Sequence, residues 1–93
     1  CIYLAVWTDG KKVRTVEGEA KNGRLSSVQQ AYVDEGAVQC GFCTSGFIMA
    51  STAFKEKWQG GTFSHEQIRR AHAGNLCRCT GYQNIFEAIK KIF

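Results

Sequence analysis

The sequence contains no proline and no long apolar run. Because proline is absent, no residue of this type interrupts a helix, and short helices can follow one another closely. A membrane-spanning helix needs about 20 consecutive apolar residues, and no stretch approaches that length. The sequence also opens without the basic region and apolar stretch of a signal peptide. We therefore expect a soluble, cytoplasmic protein that does not insert directly into a membrane.

Positive charge is in only slight excess. Twelve Lys and Arg residues against eight Asp and Glu give a formal net charge of +4, which counts all five cysteines as neutral thiols. Four thiolates around a metal centre would bring this balance close to zero. The basic residues are scattered in ones and twos, which is typical of solvated surfaces. We expect no nucleic-acid partner.

The first 18 residues predict a β-hairpin. Residues 2–7 and 12–17 are β-rich runs that flank Asp9-Gly10, a dipeptide favoured where a hairpin needs positive φ. A lone hairpin is marginal in water, and no other segment is typical of a strand. We therefore expect the hairpin to be the trailing edge of a sheet whose other strands are absent, and the chain to start within a domain. The polar residues 19–24 are typical of a linker.

Four helices are predicted after the linker. The pairs Ser26 with Gln29 and Ser64 with Gln67 are capping boxes, which mark the first and third helix starts. Apolar residues at helical spacing, followed by glycines, predict helices at residues 27–35, 45–58 and 83–92 and a short helix between Ser64 and Gly74. This succession favours a compact all-α bundle whose apolar stripes form the core.

Four of the five cysteines form two pairs, Cys40-x₂-Cys43 and Cys77-x-Cys79. The odd total and the poor geometry of a Cys-x-Cys bridge argue against a disulfide scaffold. Zinc is commonly held by two Cys-x₂₋₄-Cys knuckles, so the one-residue spacer and the long interval between the pairs are unusual for it. The spacing favours a [2Fe–2S] cluster. A zinc-stapled module that binds protein or nucleic acid remains the alternative.

The residues around both pairs suit an anionic centre. Each pair ends in Cys-Thr, followed by glycine and an aromatic ring, and each precedes a predicted helix. A centre between the pairs would therefore receive backbone N–H groups and the positive ends of two helix dipoles. Gly41, Gly46 and Gly81 would let the backbone approach a bulky cluster. His65 and His72 lie away from ligand spacing, and we expect them at the surface or at helix caps.

The segments VQCGFCTSGFIMA and GNLCRCTGYQNIFEAI resemble the second iron–sulfur domain of the molybdenum hydroxylases. This is the family of xanthine oxidase, aldehyde oxidoreductase and carbon monoxide dehydrogenase, and the resemblance covers residues 25–92. It implies a mainly α fold, a four-helix bundle with two-fold pseudosymmetry that holds one [2Fe–2S] cluster. The implied cluster ligands are Cys40, Cys43, Cys77 and Cys79. The resemblance also implies that Gln39 and Cys79 approach the molybdopterin cofactor of a partner subunit.

The resemblance offers an explanation for Cys1 as well. In the family, a plant-type ferredoxin domain precedes the bundle, so Cys1 would be the fourth metal ligand of a second [2Fe–2S] cluster whose other ligands lie upstream. Residues 1–20 would then be the C-terminal hairpin of a truncated ferredoxin-like domain plus a linker, and residues 21–93 the helical [2Fe–2S]-binding domain. A free buried thiol is the alternative for Cys1.

The function that the resemblance implies is electron transfer. The chain would be the iron–sulfur part of a molybdopterin-dependent oxidoreductase and would relay single electrons from the molybdopterin centre to the second cluster, then to flavin or another acceptor. Substrate chemistry would take place on another chain, because the cofactors carry the redox change. The implied partners are a large molybdopterin-binding subunit and a medium subunit that binds FAD.

Overall fold

A computed structural model describes residues 1–58 and 60–92. Gln59 and Phe93, both within the predicted helical domain, lie outside the described residues. The fold is mainly helical, with α1 at Ser27–Asp34, α2 at Thr44–Lys57, α3 at His65–Ala71 and α4 at Gln83–Lys91. The four predicted helices are confirmed. In the part of the chain that the structure describes, no helix combines the length and apolar character needed to cross a bilayer.

Both predicted capping boxes are formed. The Ser26 hydroxyl accepts a hydrogen bond from the Gln29 backbone N–H at 3.2 Å, and the Gln29 side chain accepts one from the Ser26 N–H at 2.9 Å. Ser64 and Gln67 make the same two contacts at the start of α3, at 3.2 and 2.6 Å. Each box satisfies N–H groups that have no partner within the first helical turn. The entry of the chain into α1 and α3 is therefore fixed locally.

The four helices enclose one apolar core, to which every helix contributes. Ala71, which the sequence pattern places on the inner face of α3, is exposed, whereas Ile68 of the same helix is fully buried. Burying one large aliphatic side chain contributes about 1.5–3 kcal/mol, so packing stabilises these short helices. The buried members are Val28, Ala31, Tyr32, Ala37, Phe47, Ile48, Ile68, Ile85, Ala88, Ile89 and Ile92.

A chain of polar groups connects three helices inside this core. The Tyr32 hydroxyl of α1 donates to Ser51 Oγ of α2 at 2.8 Å, and Ser51 donates to His72 Nε2 at 3.0 Å. His72 Nδ1–H donates to the Ile68 carbonyl at 2.8 Å. With these donor and acceptor directions, each polar group has a hydrogen-bond partner while the imidazole is neutral. Burial lowers the pKa of His72, which favours this neutral form. His72 caps α3 as expected, but it is buried rather than at the surface.

The predicted β-hairpin is wrong. Short 3₁₀ helices at Ala5–Thr8 and Val16–Gly18 overlap the two expected strands, and no strand is found within residues 1–58 and 60–92. None of residues 1–15 is buried, so this segment has no covered face on which two strands could be held, and an isolated hairpin is marginal in water. The segment is fastened instead by Val16, which packs on the core, and by an ion pair of Arg14 with Glu56 at 2.9 Å.

Candidate metal centre

Four thiols from two loops meet in two close pairs. Cys43 immediately precedes the first residue of α2, and Cys40 lies on the same loop, whereas Cys77 and Cys79 lie between α3 and α4. Cys79 Sγ donates to Cys40 Sγ at 3.5 Å, and the Cys43 and Cys77 side chains are close enough for each to shift the pKa of the other. All are free thiols. Each contact therefore joins one cysteine of the first motif to one of the second.

Cys40 and Cys79 are both exposed, and the pKa values of their thiols are shifted in opposite directions. A hydrogen bond from the Phe42 backbone N–H, reinforced by the contact with Cys79, lowers the pKa of Cys40. The same contact, in which Cys79 is the donor, raises the pKa of Cys79. Cys40 therefore loses its proton more readily than Cys79. Metal binding requires both sulfurs to be deprotonated.

The pKa values of Cys43 and Cys77 are also shifted in opposite directions, and both shifts are large. Hydrogen bonds from the side chain and backbone of Thr80 lower the pKa of Cys77 to about 7. Burial, followed by the contact with Cys77, raises the pKa of Cys43 to about 11. One sulfur of each pair is therefore favoured as a thiolate, and the other donates its proton toward it.

The second motif folds back on its own first cysteine. Thr80 Oγ1 lies 3.0 Å from Cys77 Sγ, and the Thr80 backbone N–H donates to the same sulfur at 3.5 Å. Tyr82 donates its backbone N–H to Thr80 Oγ1 at 3.1 Å, and its hydroxyl accepts from the Cys77 N–H at 3.1 Å. Tyr82 holds a φ of +68°, which is uncommon for a bulky residue. The Cys-Thr and aromatic pattern was the sequence signal for these residues, but it does not assign their roles.

The first motif has a corresponding threonine with a different environment. Thr44 follows Cys43 directly and is the first residue of α2. Its Oγ1 is buried and has no hydrogen-bond partner among the described residues. Leaving a buried hydroxyl unpaired costs about 1–3 kcal/mol, so an acceptor beside it is expected. A sulfur-rich group bound by the neighbouring thiols would supply such an acceptor.

All three predicted glycines have a clear structural reason, and Gly81 has a φ of +63°. Gly41, between the cysteines of the first motif, has a φ of +85°, which side chains rarely allow. Gly46, in the first turn of α2, lies close to the loop that precedes Cys77. A Cβ at Gly46 would stand 3.0 Å from Asn75 Nδ2. The small residue thus permits the close approach of the two cysteine-bearing regions.

Cys1 and Gln39 both adjoin this group of thiols. Cys1 Sγ accepts a hydrogen bond from the Leu76 N–H at 3.3 Å, and the N-terminal ammonium donates to the Gly74 carbonyl at 3.0 Å. The Cys1 thiol is exposed, so the alternative of a free buried thiol is wrong. Gln39 is exposed on the loop immediately before Cys40.

The donor set suits a two-metal cluster. Two thiolates on one tetrahedral metal with bonds of about 2.3 Å lie about 3.8 Å apart, close to the 3.5 Å between the sulfurs of Cys40 and Cys79. Within residues 1–58 and 60–92, no three His, Cys, Asp or Glu side chains are grouped closely enough for a single metal ion. The sulfurs of Cys40 and Cys79 are thus spaced as two ligands of one metal atom, which is what each iron of a [2Fe–2S] cluster requires.

Comparisons with known proteins agree on this region. Residues 15–90 match the family model described as [2Fe-2S] binding domain. The chain is similar to the xanthine dehydrogenase iron-sulfur-binding subunit of Escherichia coli O157:H7, with 60% identity over 89 residues that cover 96% of this chain and 56% of the relative. It is also similar to the nicotine 6-hydroxylase small subunit of Paenarthrobacter nicotinovorans, with 47% identity over 89 residues, 96% of this chain and 52% of the relative.

Two solved structures share the fold. Quinoline 2-oxidoreductase from Pseudomonas putida 86 aligns with a TM-score of 0.77 and 38% identity, over 97% of this chain and 54% of that chain. The aldehyde oxidoreductase from Desulfovibrio desulfuricans ATCC 27774 aligns with a TM-score of 0.75 and 36% identity, over 84% of this chain and 9% of that chain. The chain spans about half the length of the curated relatives described above.

Proposed function

The chain belongs to the [2Fe-2S] binding domain family of the molybdenum hydroxylases, and on that premise we propose that it is the electron-transfer part of such an oxidoreductase. It relays single electrons from a molybdopterin centre to a second [2Fe–2S] cluster and on to flavin or another acceptor, and substrate chemistry takes place elsewhere. The observation that carries this proposal is the pairwise approach of four free thiols from two loops.

Cys40, Cys43, Cys77 and Cys79 would hold the cluster. When bound, a cluster of this type supplies a one-electron carrier whose potential depends on hydrogen bonds to sulfur, burial and charge. The chain contributes the positions of the thiols. Thr80 favours the thiolate of Cys77 through hydrogen bonds, whereas burial raises the pKa of Cys43, so this thiol would lose its proton only on binding the metal.

Cys1 would be a ligand of the second cluster. In support, its sulfur accepts a hydrogen bond from the backbone of Leu76, the residue before Cys77. One hydrogen bond and one residue thus connect Cys1 with a proposed ligand of the first cluster, which would give electrons a short route between the two. The division into residues 1–20, from a ferredoxin-like domain, and residues 21–93, the helical domain, is part of this proposal.

Gln39 and Cys79 would face the molybdopterin of a large partner subunit. Both are exposed, and Gln39 adjoins Cys40, whose sulfur contacts that of Cys79. An amide can donate and accept hydrogen bonds to a pterin. An FAD-binding medium subunit would be the further partner. The cytoplasm is the proposed compartment because it keeps thiols reduced.

The bundle would also have two-fold pseudosymmetry. In support, the same order of features occurs twice along the chain. A helix that begins with a Ser-x-x-Gln capping box is followed by a cysteine pair and then by a second helix. The repetition is inexact, because the spacer within the pair is two residues in the first half and one in the second.

Metal analysis of the chain tests the proposed function. After anaerobic incubation with ferrous iron and sulfide, we expect about two iron and two acid-labile sulfide per chain, visible absorbance, and a rhombic electron-spin signal after one-electron reduction. A colourless protein with one zinc ion would contradict the proposal and support the zinc-stapled module. Absence of metal with a mass lowered by two protons per bridge would support a disulfide scaffold instead.

A further inference from the structure

The sulfur of Cys77 is held by one neighbouring residue. The side-chain oxygen of Thr80 lies 3.0 Å from it, and the backbone N–H of the same threonine lies 3.5 Å from it. In the described part of the chain, Cys77 is the member of the four-cysteine group whose sulfur contacts a hydroxyl. The contacts of Cys40 and Cys79 are with each other and with a backbone N–H.

The direction of the hydroxyl bond follows from the neighbours of Thr80. A hydroxyl has one proton and two lone pairs. The Tyr82 backbone N–H already donates to Thr80 Oγ1 at 3.1 Å, so this oxygen acts as an acceptor there. A cluster ligand is a thiolate, which can only accept. The Thr80 proton must therefore point at the Cys77 sulfur when a cluster is bound.

Such a bond acts on the redox equilibrium. One-electron reduction adds a negative charge to the cluster, and a donor aimed at a ligand sulfur stabilises the reduced state more than the oxidised state. We propose that Thr80 is a positioning residue for Cys77 and that its hydroxyl raises the reduction potential of the cluster. This inference rests on the proposed function, since it requires that Cys77 binds a cluster.

Two variants of Thr80 separate the effect of its hydroxyl from that of the rest of its side chain. Thr80→Val keeps the shape and removes the hydroxyl, whereas Thr80→Ser keeps the hydroxyl. Thr52→Val is the matched control, because the buried Thr52 hydroxyl donates at 2.9 Å to the Ile48 carbonyl of its own helix. The measurement is a redox titration of the reconstituted chain, followed by the electron-spin signal of the reduced cluster, with iron and sulfide counted in every sample.

We expect Thr80→Val to retain iron and sulfide and to lower the equilibrium constant for reduction by up to about tenfold, a potential more negative by up to about 59 mV. Thr80→Ser and Thr52→Val should keep the wild-type potential. Because the signal arises only from loaded molecules, partial loading does not prevent the measurement.

Three outcomes would overturn the inference. A wild-type potential in loaded Thr80→Val would show that the hydroxyl does not act on the cluster. An equal shift in Thr52→Val would assign the effect to general changes in packing. Loss of the cluster from Thr80→Val, with retention in Thr80→Ser, would assign the hydroxyl to cluster retention instead. Failure of the wild-type chain itself to bind iron would contradict the proposed function, which is a separate result.

Discussion

The two halves of the bundle contain similar elements but hold their cysteines differently. In the second half, Thr80 and Tyr82 bond back to Cys77 before α4 begins. In the first half, Cys43 leads directly into α2, and the hydroxyl of Thr44 is buried without a partner in the described part of the chain. The threonine hydroxyl of the second loop thus has a cysteine sulfur as its partner, whereas that of the first loop has no partner among the described residues.

The largest effect is expected from removing a thiol of either half. Cys43→Ser and Cys77→Ser should each abolish cluster binding or change its spectrum strongly, because both halves supply ligands. Cys1→Ser is the control and should keep about two iron per chain, since Cys1 lies outside the four-thiol group. Iron and sulfide analysis with absorbance measures this. Full occupancy and an unchanged spectrum in Cys43→Ser would remove Cys43 from the ligand set and break the comparison.

The polar chain that joins the halves should give the next largest effect. Ser51→Ala leaves the Tyr32 hydroxyl and His72 Nε2 buried without their shared partner, at a cost of about 1–3 kcal/mol for each group. Tyr32→Phe removes only the terminal donor and should cost about 1 kcal/mol. Anaerobic urea unfolding of the loaded chain compares the two. Equal losses of the free energy of unfolding would show that Ser51 does not connect the halves.

Acidification should weaken the same connection. Burial lowers the pKa of His72 below its ordinary value of 6.5, so the unfolded state binds a proton more readily than the folded state. The contribution of neutral His72 is therefore complete above about pH 6.5 and is lost as the pH falls toward the folded pKa, by at most about 1.4 kcal/mol per pH unit. Unfolding free energies at pH 7.5 and 5.5 should show this loss in the wild type and in His65→Gln, but a smaller loss in His72→Gln.

The smallest effect sharpens the contrast between the two threonines. In the chain without metal, Thr44→Val replaces an unpaired buried hydroxyl by a methyl group and should raise the free energy of unfolding by about 1 kcal/mol. In the loaded chain, the hydroxyl has an acceptor, and the gain should vanish or change sign. Urea unfolding of both forms gives the comparison. The same gain in both forms would mean that Thr44 does not face the bound group.

The helices could be predicted from sequence because their determinants are local. The capping boxes at Ser26 and Ser64 and the apolar stripe of α4 each lie within a few residues, and their structures agree with the pattern. The hairpin failed for the opposite reason, because β-rich residues form strands only where a partner or a covered face holds them. The burial of His72 could not be predicted from the sequence either, because the residues that bond to it in a chain, Ser51 and Tyr32, lie on other helices.

The sequence predicts which residues form the candidate site but not the contacts between them. Two cysteine pairs at this spacing predict a single centre, and in the structure Cys79 of the second pair contacts Cys40 of the first. Which sulfurs meet depends on how the two loops approach each other, and they lie close together where Gly46 faces the Asn75 side chain. The hydrogen bonds of Thr80 to Cys77 likewise depend on the left-handed backbone conformation of Tyr82, which could not be predicted from the sequence.

The contact between Cys40 and Cys79 joins residues 39 positions apart in the chain. A group that binds both sulfurs would close a loop of this size even when the chain is unfolded. For a cross-link of that span, the lost chain entropy corresponds to about 4 kcal/mol in favour of the compact state. A bound cluster would therefore also stabilise the fold as a cross-link between the two loops. Loss of the cluster would remove this stabilisation, whichever redox state the cluster was in.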